Sequence, residues 1–500
     1  MEKSIIIIGA GIAGLSTGCY GQMNGYKTQI FEMHTIPGGL CTTWKRKGYK
    51  IDGCFEWWYR SNPGTGFYQM WGELGAVQGR SVVHLEESAR VEGKGGKTLV
   101  LYTDIDRLEQ HLKELAPEDN DIIEELIKAA RTTTRFNLPV LKAPELMGLM
   151  DGLKMLFTIR PFLRFQKQWG KISIKDYVQR FKNPFLREAL IFNGNFPSMP
   201  VSYFISSLGS FHNKEACFPL GGSLQVALAI ERRYRNLGGE VHYKSPVTKI
   251  MVESGKAVGV RLADGTEHRS DIVISAADGH TTIFDMLDGK YIDEKIQGYY
   301  NNFSPVPPII YIGLGVARLF DEPYSVYGTY FTLDEPITIE RRTLTRIPVH
   351  IYNFDPSLAP EGKTVLRVKL EDADYDYWKE LRQDPKRYKE EKEQIADKVI
   401  TALDQRFPGL AAQVEMCDVA TPMTFEHYTG NWRGGWIGWD PTTETAGIRM
   451  SKTLPGLANF YMAGQWVEPG GGTPIAVMSG RNVTQIICKQ DKKKFVTSTP

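Results

Sequence analysis

Apolar positions along this chain follow two rhythms. Short unbroken runs, Ile5 to Ile8, Ile272 to Ile274 and Phe460 to Met462, suit strands covered on both faces, and each leads into a turn of small residues. Thr28 to Phe31 reads as a further strand. Runs over 240–243, 247–252 and 257–262 also read as strands, with Asp264-Gly265 as a hairpin turn. A helical rhythm follows Gly14 and stops before Gly25, a residue suited to a helix end. It returns over 104–116, where Ile105, Leu108, Leu112 and Leu115 share one face, and again from Asp121, with Glu124 as a capping partner. The chain then stays mostly helical to about 212 and is rich in Phe, Leu and Met. One helix passes through Leu228, Ile230 and Tyr234 to Gly238-Gly239, and the last runs to about Lys489. Between 290 and 450, strands at Ile309–Gly313, Val349–Tyr352 and Val365–Leu370 alternate with a charged helix near 375–404. The tail from Lys492 is basic and polar and reads as disordered.

Composition narrows the class. Five hundred residues imply at least two domains, and 24% charged against 42% apolar residues is the balance of a globular protein. A net charge of +2 gives no pull toward nucleic acid. The six cysteines, Cys19, Cys41, Cys54, Cys217, Cys417 and Cys488, are scattered without a CxxC pair, so they read as reduced thiols and no metal site is expected. The first strand begins by Ser4, which leaves no room for a signal peptide, and no apolar run spans a bilayer. The expectation is a cytoplasmic chain, peripheral at a membrane at most.

The first strand opens directly into Gly9-Ala10-Gly11-Ile12-Ala13-Gly14. Strand, turn, helix, second strand and a terminal acid, Glu32, follow in the order a dinucleotide site requires. Gly9 permits the tight turn, Gly11 lets backbone approach a diphosphate, and Gly14 lets helix and strand pack closely. The helix start offers free N–H groups to the phosphates, and Glu32 can accept from a ribose.

Gly38-Gly39 follows shortly after, and Met462-Ala463-Gly464, Pro469-Gly470-Gly471-Gly472 and Ser479-Gly480-Arg481 stand near the far end. With the fingerprint, these segments resemble the FAD-binding pattern of the flavin amine oxidase superfamily. The middle is similar to its phytoene desaturase, carotenoid isomerase and retinol saturase branch, through Phe218-Pro219-Leu220-Gly221-Gly222, Val247, Val258-Gly259-Val260 with Asp264-Gly265, and Ile272 to Ala276. The resemblance implies FAD held by Gly9, Ala10, Gly11, Ile12, Ala13, Gly14, Glu32, Gly38, Gly39, Leu40, Val247, Ala276, Gly464, Gln465, Gly472, Thr473, Pro474 and Ile475. It places Val247 at the adenine, the Ala276-Ala277 turn over the cofactor, and Thr473 to Ile475, with the N–H groups of Thr473 and Ile475, nearest the ring. Two positions depart from the pattern: Leu40 stands where an arginine is common, and Gln465 where an acid is common.

The implied fold is α/β. A Rossmann-like FAD-binding domain, a parallel sheet with helices, would come from 1–75, 218–288 and 452–492. It would interleave with an α+β substrate domain from 76–217 and 289–451 carrying a helical lid over about 120–212, leaving 493–500 as a disordered tail. The implied activity is oxidoreduction, by desaturation, saturation or isomerisation, of C–C and C=C bonds in an apolar isoprenoid or polyene lipid. Alternatives on the same fold are an amine or porphyrinogen oxidase and a non-catalytic prenyl-lipid binding protein. Electrons would pass to or from a quinone, oxygen or an external reductant.

Trp57, Trp58, Trp432 and Trp436, with Trp439 and Trp466, are expected to wall a substrate pocket near the ring. Glu56, beside Trp57, is a candidate acid or base whose apolar setting should raise its pKa, and His427 is a second candidate. Residues 146–169 combine Leu, Met and Phe with Arg160, Arg164 and Lys167, and Pro161 should interrupt the helix; the segment suits an interfacial membrane contact or a lid.

Overall fold

A computed structural model describes residues 2–136, 142–192, 196–321, 325–468 and 470–500. Ser4–Ile8 is the middle strand of a five-stranded parallel sheet. Across it stand Glu240–His242, Lys27–Phe31, Ser4–Ile8, Ile272–Ser275 and Phe460–Met462. The unbroken isoleucines are explained by cover on both sides. Ile5 and Ile7 pack with helices Ile12–Met23, Ser223–Asn236 and Gly472–Gln490, while Ile6 and Ile8 pack with a three-stranded antiparallel layer, Val247–Glu253, Lys256–Leu262 and Glu267–Arg269.

The second sheet has seven strands. In order they are Val414–Ala420, Ile310–Val316, Thr364–Leu370, Arg342–Ile351, Thr329–Ile339, Glu87–Glu92 and Thr98–Tyr102. Its central strands alternate between two faces. Ile310, Ile312 and Leu314 meet Leu366, Val368 and helix Pro385–Arg406 on one face. Tyr311, Val365, Arg367, Lys369 and His350 fall on the other, toward the hairpin of Thr43–Arg46 and Tyr49–Asp52 and the segment that follows it.

Helices between 105 and 212 form a layer with its own core, packed on the sheet end at Leu99, Leu101 and Tyr330. Two expectations are corrected here. Pro161 does not break its helix, which runs unbroken over Leu149–Trp169; one lost backbone bond costs about 3 kcal/mol, and the buried Phe165 and Trp169 hold the far end to the core. The tail 493–500 is not loose: Val496 exchanges hydrogen bonds with the Asn24 side chain, and the Arg481 guanidinium lies 5.0 Å from the Phe495 ring. One apolar ring in a basic stretch anchors it. Among the described residues no helix is long and apolar enough to cross a membrane.

Candidate functional site

The fingerprint turn is built as its glycines require. Gly9 has φ +94° and donates to the Phe31 carbonyl at 2.8 Å. A Cβ on Gly14 would stand 1.9 Å from the Gly9 oxygen, whereas one on Gly11 would meet nothing within 4 Å. The first forbids a side chain for packing reasons; the second keeps an approach to the backbone clear. Gly38 donates to the Ala10 carbonyl at 2.9 Å, so the Gly38-Gly39 turn lies along the fingerprint, with Leu40 packed into the core beside it. The Glu32 carboxylate is buried and accepts from the Ala10 amide at 2.6 Å and the His34 amide at 2.8 Å. Ser245 N–H donates to the Glu32 carbonyl, which draws the strand starting at Val247 to the same end of the sheet.

The chain's far end arrives at the same place. Gly464 leaves its strand with φ +111°, its missing Cβ 3.7 Å from Ala13 Cβ, and its N–H donates to Ser479 Oγ. A Cβ on Gly480 would lie 2.7 Å from the Thr17 nitrogen, so the first and last helices touch along their backbones. Ala276 bridges the two: its N–H donates to the Ile8 carbonyl, and its backbone packs on Gly9. Neither helix Ile12–Met23 nor helix Gly472–Gln490 has a capping side chain or an acid in its first turn. Two uncapped helix starts and an open Gly11 are the donor set that a diphosphate and an electron-accepting ring need, so these residues fit FAD. Gly472, Thr473, Pro474 and Ile475 form the first turn of the last helix, and Gln465 lies against Gly438. Pro469 lies outside the described residues.

The tryptophans do not form one wall. Neighbours in an extended segment point opposite ways, and Trp57 and Trp58 do so. Trp58 is core, against Phe55 and Trp71, while Trp57 stacks on Phe211 at 4.5 Å. Trp432 stacks on His280 at 4.7 Å, within a cluster that includes Tyr300, Trp439 and Trp466. Trp436 donates from Nε1 to the Pro307 carbonyl, and its ring lies 4.9 Å from the Lys369 ammonium that pairs with Glu56. Trp57 lines a cavity of about 350 Å³ together with Leu85, Phe211, Phe218, Val326 and Glu56.

Glu56 is held as an anion, against the expected upward shift. Burial pushes its carboxyl up, but the Lys369 ammonium at 2.6 Å and the Arg367 guanidinium at 3.3 Å outweigh that and bring it below the usual range. Arg367 also reaches the Phe55 carbonyl and lies 2.9 Å from His350 Nδ1. Burial, Arg367 and Lys369 together keep His350 neutral. His427 stands exposed on helix Pro422–Thr429 with its ring beside Tyr428, a solvent setting that provides no substrate enclosure.

Two groups escaped the sequence reading. Asp278, three residues past the strand Ile272–Ser275, is buried, accepts from the Thr281 and Trp432 amides, and is pushed up to about 6, chiefly by burial. Arg367 and Lys369 sit in the strand Thr364–Leu370, and their i, i+2 spacing turns both to one face.

The family model described as flavin containing amine oxidoreductase matches residues 12–488. Prolycopene isomerase, chloroplastic, of Daucus carota is 23% identical, over 96% of this chain and 79% of that protein. The 4,4'-diapophytoene desaturase (4,4'-diapolycopene-forming) of Methylomonas sp is 25% identical, over 99% of this chain and 96% of that one. Among solved structures, an oxidoreductase from Methanosarcina mazei shares the fold with TM-score 0.59 at 18% identity, covering 96% of this chain and 100% of that one.

Proposed function

The chain belongs to the flavin containing amine oxidoreductase family and is an FAD-dependent oxidoreductase, and on that premise we propose that it desaturates, saturates or isomerises carbon–carbon bonds of an apolar polyene or isoprenoid lipid. The observation that carries this reading is that relatives spanning 96% and 99% of the chain are named for polyene isomerisation and desaturation. FAD, when bound, supplies hydride exchange at its ring. In our reading the Gly11 backbone and the first helix start hold the diphosphate, Glu32 the ribose, and Val247 the adenine. The Thr473 and Ile475 amides, either side of Pro474, which has no N–H, would face the ring edge, where the helix dipole favours negative charge.

On the substrate side, we read Trp57, Phe211 and Phe218 as the apolar part of a cavity also lined by the polar His84, Glu86, Asp104, Arg107, His212 and Lys214. Glu56, locked between two cations, orients and neutralises; it is a poor proton carrier at neutral pH. Asp278, beside Trp432 and not among the residues lining that cavity, has its pKa raised to about 6 and is the carboxyl better matched to proton exchange.

We further read helix Leu149–Trp169 as a lipid-docking element. Leu149, Met150 and Phe157 are 89%, 78% and 77% exposed, and the exposed Arg160, Arg164 and Lys167 lie on the same helix. Apolar insertion beside basic residues matches an anionic bilayer surface.

The test is to incubate oxidised and reduced holoprotein with a linear isoprenoid such as phytoene, a retinoid and an unsaturated acyl lipid. Products are then read by mass and by isomer separation. A two-hydrogen shift or a changed double-bond geometry in the isoprenoid is expected. Turnover of primary amines alone, with peroxide release, would overturn the polyene reading.

A further inference from the structure

The hairpin of Thr43–Arg46 and Tyr49–Asp52 pairs Thr43 with Asp52 and Trp44 with Ile51. Gly53 N–H then donates to the Thr42 carbonyl at 2.9 Å, which carries the register one step outward. The next step sets Cys41 opposite Cys54, and their sulfurs lie 3.4 Å apart. Directly opposed residues in an antiparallel pair have about the Cα and Cβ separations that a disulfide requires. Twelve intervening residues hid this pairing from the sequence, because neither cysteine belongs to a CxxC motif.

We propose that Cys41 and Cys54 are a reversible dithiol–disulfide site that clamps the Gly38-Gly39 turn to the segment carrying Glu56. Each sulfur is tied to one of these elements. Cys41 N–H donates to the Gly38 carbonyl at 3.0 Å, and Gly38 is itself bound to Ala10 of the fingerprint. Cys54 stands two residues before Glu56 in the same segment, and its N–H donates to Asp52 Oδ1, which also accepts from Ser223 Oγ–H. Cys41 is buried and Cys54 partly accessible. The hydrogen bond to Cys54 and burial both push the Cys41 thiol up.

The chemistry is thiol–disulfide exchange with a low-molecular-weight disulfide such as oxidised glutathione. Cys54, having lost its proton to water, attacks that disulfide, forms a mixed disulfide and expels one glutathione thiolate. Cys41 then loses its proton and attacks the Cys54 sulfur, expelling the second. Two protein thiols become one disulfide, and one oxidised glutathione becomes two reduced molecules.

Flavin-loaded protein is equilibrated with oxidised glutathione, quenched with N-ethylmaleimide under denaturing conditions and mapped by peptide mass. The expected result is a cross-linked peptide joining Cys41 to Cys54, two hydrogens lighter than the reduced pair and reversed by dithiothreitol. C41S should leave Cys54 as the glutathione mixed disulfide. Deuterium uptake over 38–41 should slow several-fold on oxidation, and C54S should abolish that slowing. The exposed Cys417 reports that oxidant reached the protein. A Cys417 adduct with Cys41 and Cys54 both alkylated would overturn the site, and a cross-link that leaves uptake unchanged would overturn the clamp.

Discussion

Lys369 Nζ lies 2.6 Å from Glu56 Oε1, and both side chains are withdrawn from solvent between the seven-stranded sheet and the segment after Asp52. Removing Glu56 leaves two buried cations, Arg367 and Lys369, with Glu371 at 3.1 Å from Lys369 as the remaining carboxylate partner. E56Q should therefore cost about 3–5 kcal/mol, and adding K369M should recover part of the loss, because buried pairs are strongly coupled. Urea unfolding of the two variants and the parent checks this. The Glu56 carboxyl is depressed in the folded chain, so its contribution is present at neutral pH and lost as pH falls through and below the usual carboxylate range.

Asp278 behaves oppositely. Its folded pKa is raised from 3.8 to about 6, so the folded chain holds a proton there that the unfolded chain has released. Stability should fall by on the order of 3 kcal/mol as pH rises from about 4 to about 6, then level off. D278N should flatten that slope and raise Tm above pH 6, since an amide oxygen still accepts from Thr281 or Trp432. Thermal melts across pH, parent against variant, decide the matter.

Gly11 and Gly14 make a discriminating pair. Gly11 has φ −64° and open space where a Cβ would go. G11L should thus fold, with a melt close to the parent's, yet purify without visible flavin absorption. G14A forces a Cβ to within 1.9 Å of the Gly9 oxygen and should lose folded protein outright. A yellow G11L protein would contradict the cofactor placement.

Leu149, Met150 and Phe157 can be changed to serine without disturbing the core, because all three are exposed. The triple variant should sediment with anionic phosphatidylserine vesicles at least about tenfold less than the parent, given about 1.5–3 kcal/mol per inserted apolar side chain. Binding of the parent should weaken with salt, reflecting Arg160, Arg164 and Lys167.

How far these sites were legible differs by residue. The run Ile5 to Ile8 announced a doubly covered strand, and the glycines announced a cofactor turn, because both signals are local. Arg367 and Lys369 were not legible as a site. Hydropathy assigns charged positions to solvent, and only the strand order reveals that their face is covered by the segment carrying Glu56. Trp57 and Trp58 were grouped by proximity in sequence, although extended geometry sends adjacent side chains apart. The upward shift expected for Glu56 weighed burial without the cations that arrive from more than three hundred residues away.

The order of the parallel sheet carries a consequence for biosynthesis. Ser4–Ile8 is flanked by Lys27–Phe31, translated at once, and by Ile272–Ser275, whose own outer neighbour, Phe460–Met462, comes last. At about 5–20 residues per second, a ribosome takes roughly half a minute to a minute and a half to bring the final strand within reach of the first. Throughout that interval the isoleucine-rich strand sits in an unfinished sheet. Truncation anywhere before the final helix should therefore yield aggregates rather than a smaller working enzyme.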